Sequence, residues 1–392
     1  MSVTVDVDQR LVDAATRIAD EVAGPNALDV DREARFPVEA VDALRDERAL
    51  SALVPVELGG PGASLEAVAA ACFELGRRCG ATAMVFAMHQ IQVACMVDHR
   101  GEGAPWFDGY LREVVAEQRL IASITSEVGT GGDMGKSVAA VSAADGEGIA
   151  TFEKQAPTVS YGPHADAFLT TVRRAPDAEP GDQVAVLTRR EQMELEPQGS
   201  WDPLGMRGTC SPGFIAKATF PVEQILPTPF STISAECMTP VSHILWSHVW
   251  LGIATDAFDR ARAFAKAAAK RKPGELPPAA LRLSELMSEL SLLRAEVGLA
   301  LREYCDMRAE NRAKLSELAT ILRFNNLKIA ASEQAPRVCQ EALGVTGIVG
   351  YKNDTPFSVG RHLRDVMSAR LMVANERIHA TDASLLLIAK EV

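Results

Sequence analysis

Three histidines stand in apolar stretches where a neutral imidazole could transfer protons near pH 7. His89 lies in MVFAMHQIQVACM, and His243 and His248 lie in SHILWSHVW. The five-residue spacing of the last two does not place them on one helical face, so we do not expect them to act together. For His89 the sequence leaves open a proton-transfer residue and a buried histidine held by hydrogen bonds.

One carboxylate also stands where a helix is expected to begin, in Asn375-Glu376-Arg377. Burial of Glu376 could raise its pKa toward the working pH of a general base. Alternatively, Asn375 caps the helix and Glu376 is a solvated first-turn carboxylate favoured by the helix dipole. Both interpretations fit the local sequence.

Motifs that bind metals or nucleotides through a known mechanism are missing. No G-x-G-x-x-G follows a strand, and neither G-x-x-x-x-G-K-[ST] nor H-E-x-x-H occurs. The 7 cysteines lack C-x-x-C spacing, which predicts reduced thiols and no metal site. A nucleotide cofactor would therefore be held without a Rossmann unit.

Composition narrows the class of protein. The 392 residues carry a net charge of −12 with no concentrated basic stripe, which argues against nucleic acid as a partner. With 47% hydrophobic residues but no apolar run of about 20, we expect no membrane span. The acidic N-terminus lacks the features of a secretory signal, so we expect a cytoplasmic protein.

The positioning elements change character along the chain. Residues 1–118 show helical periodicity, residues 119–232 show short β-type runs between turn residues, and residues 233–392 return to long helices. This order does not give a doubly wound sheet. It predicts a mainly α protein with an N-terminal helical domain, a middle antiparallel β domain and a C-terminal four-helix bundle. The predicted helices span 9–23, 37–50, 64–79, 81–98, 106–117, 241–270, 279–310, 314–343 and 374–391.

Four segments in register then resemble the acyl-CoA dehydrogenase family. Ser126–Asp133 resembles the T-E-P-x-A-G-S-D loop, and Thr158–Phe168 resembles W-I-S-N-G-x-x-A-D-x-F. Leu204–Thr209 is similar to L-G-x-R-x-S/T, and Leu343–Asp365 to G-G-x-G-Y…P-V-x-R-x-x-R-D. Together with the order of helical and β regions, these segments extend the resemblance over about residues 10 to 391.

The resemblance implies FAD bound between the β domain and the C-terminal bundle of a homodimer or homotetramer. It assigns one group of residues to the isoalloxazine: Ile124, Ser126, Val159, Ser160 and Asn375. Gly347 and Gly350 are assigned to the adenosine end across a subunit interface, since glycine permits close backbone approach. The resemblance also places His89 beside the substrate cavity.

The sequence departs from the family at the catalytic base. The glutamate about nine residues after R-D is replaced by Val373, and the alternative base position, at the start of the first bundle helix, is Ser242. A neighbouring family arginine becomes His243. These residues are expected to line the substrate pocket, and Glu376, one turn beyond Val373, and His243 are the remaining catalytic candidates.

Three functions remain open. The resemblance favours α,β-dehydrogenation of an acyl thioester, carried by CoA or a carrier protein, with electrons passed to a flavoprotein or oxygen. A flavin-dependent monooxygenase or N-oxygenase on the same fold needs no carboxylate base. A catalytically silent FAD-binding subunit, paired with an active homologue, is the third.

Overall fold

The computed structural model describes residues 2–101, 105–131, 133–144, 147–271 and 273–389. An N-terminal group of helices comprises α1 (Ser2–Ile18), α2 (Gly24–Arg32), α3 (Val38–Asp46), α4 (Leu65–Arg78), α5 (Gly80–His99) and α6 (Pro105–Glu117). The mainly helical fold with a β region in the middle confirms the predicted fold class.

The helix predicted over 9–23 does not end at residue 23. A π-helical turn at Ala19–Ala23 joins α1 directly to α2, and Pro25 lies in the first turn of α2. Proline has no N–H to donate to the preceding turn, and the hydrogen-bond pattern changes from α to π just before it. The helix α2, which the sequence did not predict, supplies Asp31 to a site described below.

Helix α5 is apolar on all sides because it is a core helix. It is long and apolar enough to cross a membrane by length and composition, contrary to the expectation of no such run. However, 89% of its most apolar 18-residue window is buried inside the protein, which is typical of a helix at the centre of a hydrophobic core.

Two small sheets form the middle of the chain. Their strands are β1 (Ile121–Ile124), β2 (Ser142–Ala143), β3 (Ile149–Ala156), β4 (Ala167–Arg173), β5 (Gln183–Arg189), β6 (Met193–Gln198) and β7 (Gly213–Pro221). One sheet has the order β1-β4-β5 and the other β2-β3-β7-β6. The second is antiparallel throughout, with Phe152 opposite Ala218.

One strand pair differs from the predicted antiparallel β domain. Strands β1 and β4 are parallel, with Ser123 opposite Leu169. Parallel neighbours need a long crossover, and the chain between them is long enough to contain β2 and β3. The loops that follow β1 and β3 both contribute residues to the candidate site.

The C-terminal part consists of α7 (Phe230–Ile233), α8 (Thr239–Arg271), α9 (Ala279–Glu310), α10 (Leu318–Thr346), α11 (Ile348–Tyr351), α12 (Gly360–Val366) and α13 (Asn375–Leu386). Helix α8 is central and packs on α4, α5, α9 and α10. Gly252 lets α8 approach α4 closely, since a Cβ there would lie 2.3 Å from the Phe73 carbonyl oxygen.

Candidate functional site

A cavity of about 510 Å³ lies between the β strands and the C-terminal helices. This volume lies within the range of small-molecule and cofactor sites. Its lining comes from α5, from the loops after β1 and β3, from the segment before β7, from α8 and from the chain after α12. The lining residues used below are Met84, Met88, Ser123, Thr125, Ser126, Asp133, Thr158, Ser160, Gly205, Trp246, Arg364, Met372, Val373 and Arg377.

Hydroxyl groups form the β side of the cavity. Ser126, Thr158 and Ser160 all line it, and Ser126 Oγ donates to the Thr158 carbonyl oxygen at 3.0 Å. The predicted contacts Ile124 and Val159 are instead fully buried and are not among the lining residues. Hydroxyls can donate or accept, so this wall can bind either kind of polar ligand atom.

The loop after β1 is fixed by a buried carboxylate. Glu127 accepts hydrogen bonds from Ser137 Oγ and from the Ala139 N–H, both at 2.6 Å. Its Oε2 lies 3.5 Å from Lys154 Nζ, and burial lowers the pKa of Lys154 to about 8. Glu127 is therefore committed to holding the loop and is not available as a base.

Two sequence segments that are far apart in the chain form one cavity wall. Asp365 Oδ1 accepts a hydrogen bond from the Met206 N–H at 2.8 Å. Beside it, a Cβ on Gly205 would lie 2.0 Å from the Arg364 carbonyl oxygen, so only glycine fits there. The Leu204–Thr209 segment and the end of the Leu343–Asp365 segment therefore meet.

Val373 lines the cavity in a strained conformation. Its φ is +47°, which is unusual for a β-branched residue. Its carbonyl oxygen accepts a hydrogen bond from Lys328 Nζ at 2.8 Å, and the same ammonium donates to Asn375 Oδ1 at 2.6 Å. Lys328 is fully buried, so a buried cation on α10 holds this wall from behind.

The interpretation of Asn375 as a helix cap is wrong. Ala374 occupies the cap position of α13, and Asn375 is buried, donating to Ser332 Oγ at 3.0 Å and to Glu333 Oε1 at 2.9 Å. Asn375 is not among the cavity-lining residues, so its assignment to the isoalloxazine lacks structural support in this chain. Glu376 is exposed and also outside the lining, so its assignment as the base has no geometric support.

His89 is buried, and both of its ring nitrogens make hydrogen bonds to the backbone. Its Nε2 lies 2.7 Å from the Leu50 carbonyl oxygen, and its Nδ1 accepts from the Ile121 N–H at 3.0 Å. Burial lowers the pKa of His89 to about 4, and the ring is not part of the cavity lining. The residue therefore joins α5 to β1, as in the structural interpretation of the sequence, and its placement beside the cavity is corrected.

The candidates on α8 also lie behind the cavity wall. His243 is buried, with Nδ1 at 3.0 Å from the Phe324 carbonyl oxygen, and burial lowers its pKa to about 4. Neither His243 nor Ser242 is among the lining residues. One turn further along α8, Trp246 is the residue that reaches the cavity.

The two glycines assigned to an adenosine site lie away from this cavity. Gly347 ends α10 with φ +58° and has open space where a Cβ would be. At Gly350 a Cβ would lie 1.8 Å from Thr346 Oγ1, so this chain itself uses the missing side chain for packing. A contact with a cofactor of a second subunit stays a prediction.

Sequence reasoning missed most of the apolar lining. Met84 and Met88 on α5 and Met372 before α13 line the cavity, as does Trp246. No motif marks these residues, because an apolar side chain at helical spacing looks the same whether it faces a core or a cavity. The missed cations Arg364 and Arg377 lie in segments that the sequence did single out.

Two family models match the chain. The model described as acyl-CoA dehydrogenase, N-terminal domain, matches residues 6–104, and that described as acyl-CoA dehydrogenase, C-terminal domain, matches residues 241–381. The chain belongs to the acyl-CoA dehydrogenase family. The two matches cover the helical parts, and the Leu343–Asp365 segment lies within the second of them.

The proteins that the chain resembles have names that describe different reactions. L-evernosamine nitrososynthase from Micromonospora sp. is 26% identical, covering 97% of this chain and 91% of the relative. The structure of KijD3 with FMN and a dTDP-amino-keto sugar has a TM-score of 0.82 and 24% identity, covering 100% of this chain and 95% of KijD3. Butyryl-CoA dehydrogenase from Megasphaera elsdenii has a TM-score of 0.83 and 19% identity, covering 97% and 98%. These structural likenesses show the shared fold.

This acyl-CoA dehydrogenase family member is a flavoenzyme, and the cavity fits a flavin. The hydroxyls of Ser126 and Ser160 suit the polar pyrimidine edge, and Trp246 and Met372 offer apolar surface to a flat ring. Arg377 is a cation at the same cavity, suited to a phosphate. The residues present therefore match the three chemical parts of a flavin nucleotide.

Proposed function

We propose that this flavoenzyme is an oxygenase that uses reduced flavin and molecular oxygen to add oxygen to a small molecule. The observation that carries the proposal is Val373, which lines the cavity at the position where the family's base is expected. A valine cannot accept a proton. The α,β-dehydrogenation first favoured by the resemblance requires a base that removes the α-proton of the substrate.

The rest of the described lining also lacks a suitable base. Its charged residues are Asp133, Arg364 and Arg377. Asp133 is exposed on the loop after β1, and its carboxylate lies 3.4 Å from Lys136 Nζ. A solvated carboxylate that is paired with an ammonium is poorly suited to abstract a carbon-bound proton.

Oxygenation makes different demands on the protein. The flavin, when bound, supplies the electrons that activate oxygen, and the protein must orient the ring and exclude water. The hydroxyls of Ser126 and Ser160 would orient the polar edge. Met84, Met88 and Trp246 would give the substrate side a dry surface, since all three line the cavity.

The substrate we propose is an amine that is oxygenated on nitrogen. Formation of a nitroso group from an amine adds oxygen to nitrogen, and the relative L-evernosamine nitrososynthase and the KijD3 complex with an amino sugar nucleotide both support this class. The flavin is FMN if the cavity alone holds it, as FMN-bound KijD3 suggests. The FAD expected from the sequence would also need an adenosine site, such as the one predicted at Gly347 and Gly350.

The proposal is tested by supplying reduced flavin. The protein is incubated with FMN or FAD, a flavin reductase, NAD(P)H, oxygen and a panel of amines that includes amino sugar nucleotides. We expect substrate-dependent oxygen uptake and a product that contains an added oxygen atom by mass spectrometry. In parallel, anaerobic mixing of the flavin-loaded protein with acyl-CoAs should leave the flavin absorbance unchanged.

Three results would contradict the oxygenase. Bleaching of the flavin by an acyl-CoA would restore the dehydrogenase, and loss of that bleaching in Glu376→Gln would identify Glu376 as the base. Absence of both activities, with recovery on addition of a homologous chain, would instead support the silent subunit. Failure to take up any flavin would remove the cofactor assignment itself.

A further inference from the structure

Arg377 is distinguished from the other charged residues of the cavity by having no opposite charge of its own. Arg364 forms a two-point ion pair with Asp31, with Nη1 at 2.8 Å from Oδ1. Asp133 is paired with Lys136. Within the described ranges Arg377 has no side-chain hydrogen bond and no ion pair, although it is only partly exposed.

The surroundings of Arg377 leave room for a ligand atom. Its Nη2 would lie 3.7 Å from a Cβ on Gly131, so the guanidinium lies beside the loop that follows β1. Gly129 and Gly131 have φ values of +93° and +61°, and Gly131 presents no side chain toward the cation. A planar guanidinium with five N–H donors therefore faces a loop backbone across open cavity space.

The electrostatics of the site favour an anion. A partly buried cation without a counter-charge is unfavourable unless a ligand supplies one. The other nearby cations already have partners, since Arg370 pairs with Glu333 at 2.8 Å and the buried Lys328 ammonium donates to the oxygens of Val373 and Asn375. Of the described residues that line the cavity, Arg377 is thus the cation without a carboxylate partner.

We propose that Arg377 binds a phosphate group of a ligand that occupies this cavity. Arginine binds phosphate through two parallel charge-assisted hydrogen bonds, a geometry that the fork of the guanidinium fits. The phosphate can belong to the flavin nucleotide or to a phosphorylated substrate such as a nucleotide sugar. The proposal depends on the flavin cavity, but it holds for oxygenation and for dehydrogenation alike.

The test compares ligands that differ by a phosphate. Affinities of FMN, riboflavin and dTDP are measured by fluorescence quenching or calorimetry for the full chain and for Arg377→Gln. If the flavin phosphate is bound, the variant weakens FMN about 10-fold to 100-fold and leaves riboflavin unchanged. If a substrate phosphate is bound, dTDP weakens by that factor and FMN does not.

Two controls separate charge from folding. Arg377→Lys keeps the charge and should recover part of the affinity, whereas it loses the two-point geometry. Arg112→Gln, an exposed arginine on α6 outside the cavity lining, should leave all affinities unchanged. The affinity of the affected ligand should also fall with added salt in the wild type and hardly change in Arg377→Gln.

The proposal would be overturned if Arg377→Gln bound each of FMN, dTDP and riboflavin as tightly as the wild type does. That result is distinct from failure of the oxygenase, because binding is measured without turnover. Conversely, a phosphate-specific loss in an enzyme that shows no oxygen uptake would support Arg377 as the anchor and count only against the proposed reaction.

Discussion

At the residue scale, the strained Val373 and the buried Lys328 form a single structural unit. A non-glycine residue in the left-handed region costs about 1–3 kcal/mol unless its surroundings hold it. The Lys328 ammonium supplies that constraint through the Val373 carbonyl oxygen, and its second bond, to Asn375 Oδ1, fixes the start of α13. The cavity wall thus depends on a side chain that does not line the cavity.

Lys328→Met tests this dependence. The substitution keeps apolar bulk but leaves the buried Asn375 Oδ1 and Val373 carbonyl without the ammonium donor, so we expect a loss of about 1–3 kcal/mol in unfolding free energy. Release of Val373 should also weaken flavin binding. Denaturant unfolding and flavin fluorescence measure the two effects.

The matched control for Lys328 is Lys266, which lies exposed on α8. Lys266→Met should change the unfolding free energy by no more than about 0.5 kcal/mol, as surface substitutions usually do. Wild-type stability and wild-type flavin affinity in Lys328→Met would show that the wall does not need the ammonium.

At the element scale, the contact between the Leu204–Thr209 segment and the chain after α12 shapes the cavity. Gly205→Ala would place a Cβ 2.0 Å from the Arg364 carbonyl oxygen. The nearest atoms all belong to the backbone of Arg364 and Asp365, so they cannot rotate away as a side chain could. We expect a loss of about 1–3 kcal/mol or more from overpacking, measured by thermal unfolding, together with weaker flavin binding.

Gly109→Ala is the comparison for Gly205. Gly109 lies within α6, and nothing lies within 4 Å of its would-be Cβ. Alanine there should stabilise the protein by up to about 1 kcal/mol, because it has the higher helix propensity. If the two alanine variants behaved alike, the close approach at Gly205 would not be a constraint.

The sequence predicted the elements better than the individual contacts. The long helices follow from the apolar period, and Ser126, Ser160 and Val373 do line the cavity. Ile124 and Val159 are not among the residues that line the cavity, and their contact with the isoalloxazine stays a prediction. At the end of β1, side chains alternate between two faces, so Ile124 is buried while Ser123 and Thr125 line the cavity. Beside Val159, Thr158 lines the cavity.

Longer-range contacts explain the remaining errors. The environment of His89 depends on the Leu50 carbonyl oxygen, 39 residues earlier in the chain. That of Asn375 depends on Ser332, 43 residues earlier. Local sequence contains the donors and acceptors but not their pairing, so a cap and a cavity contact were reasonable predictions that tertiary hydrogen bonds replaced.

At the scale of the whole molecule, α9 carries an apolar stripe that the described part of the chain leaves exposed. Leu281, Leu292 and Leu299 are 69%, 68% and 42% exposed. Their spacings of eleven and seven residues place them on one face of the helix. Because proteins of the acyl-CoA dehydrogenase fold are typically oligomeric, we expect a second copy of this chain to cover the stripe.

Leu292→Glu should therefore weaken self-association. A carboxylate buried in an apolar interface carries a large desolvation cost, so the variant should shift toward monomer in light scattering coupled to size-exclusion chromatography. Val56→Glu is the control, since Val56 is 72% exposed on the N-terminal part of the chain and its substitution should leave the assembly intact.

Flavin affinity measured on both variants then decides whether Gly347 and Gly350 act across the interface. Loss of FAD binding with FMN binding retained in the monomer would place the adenosine site between subunits, whereas equal FAD binding by monomer and oligomer would remove it from there.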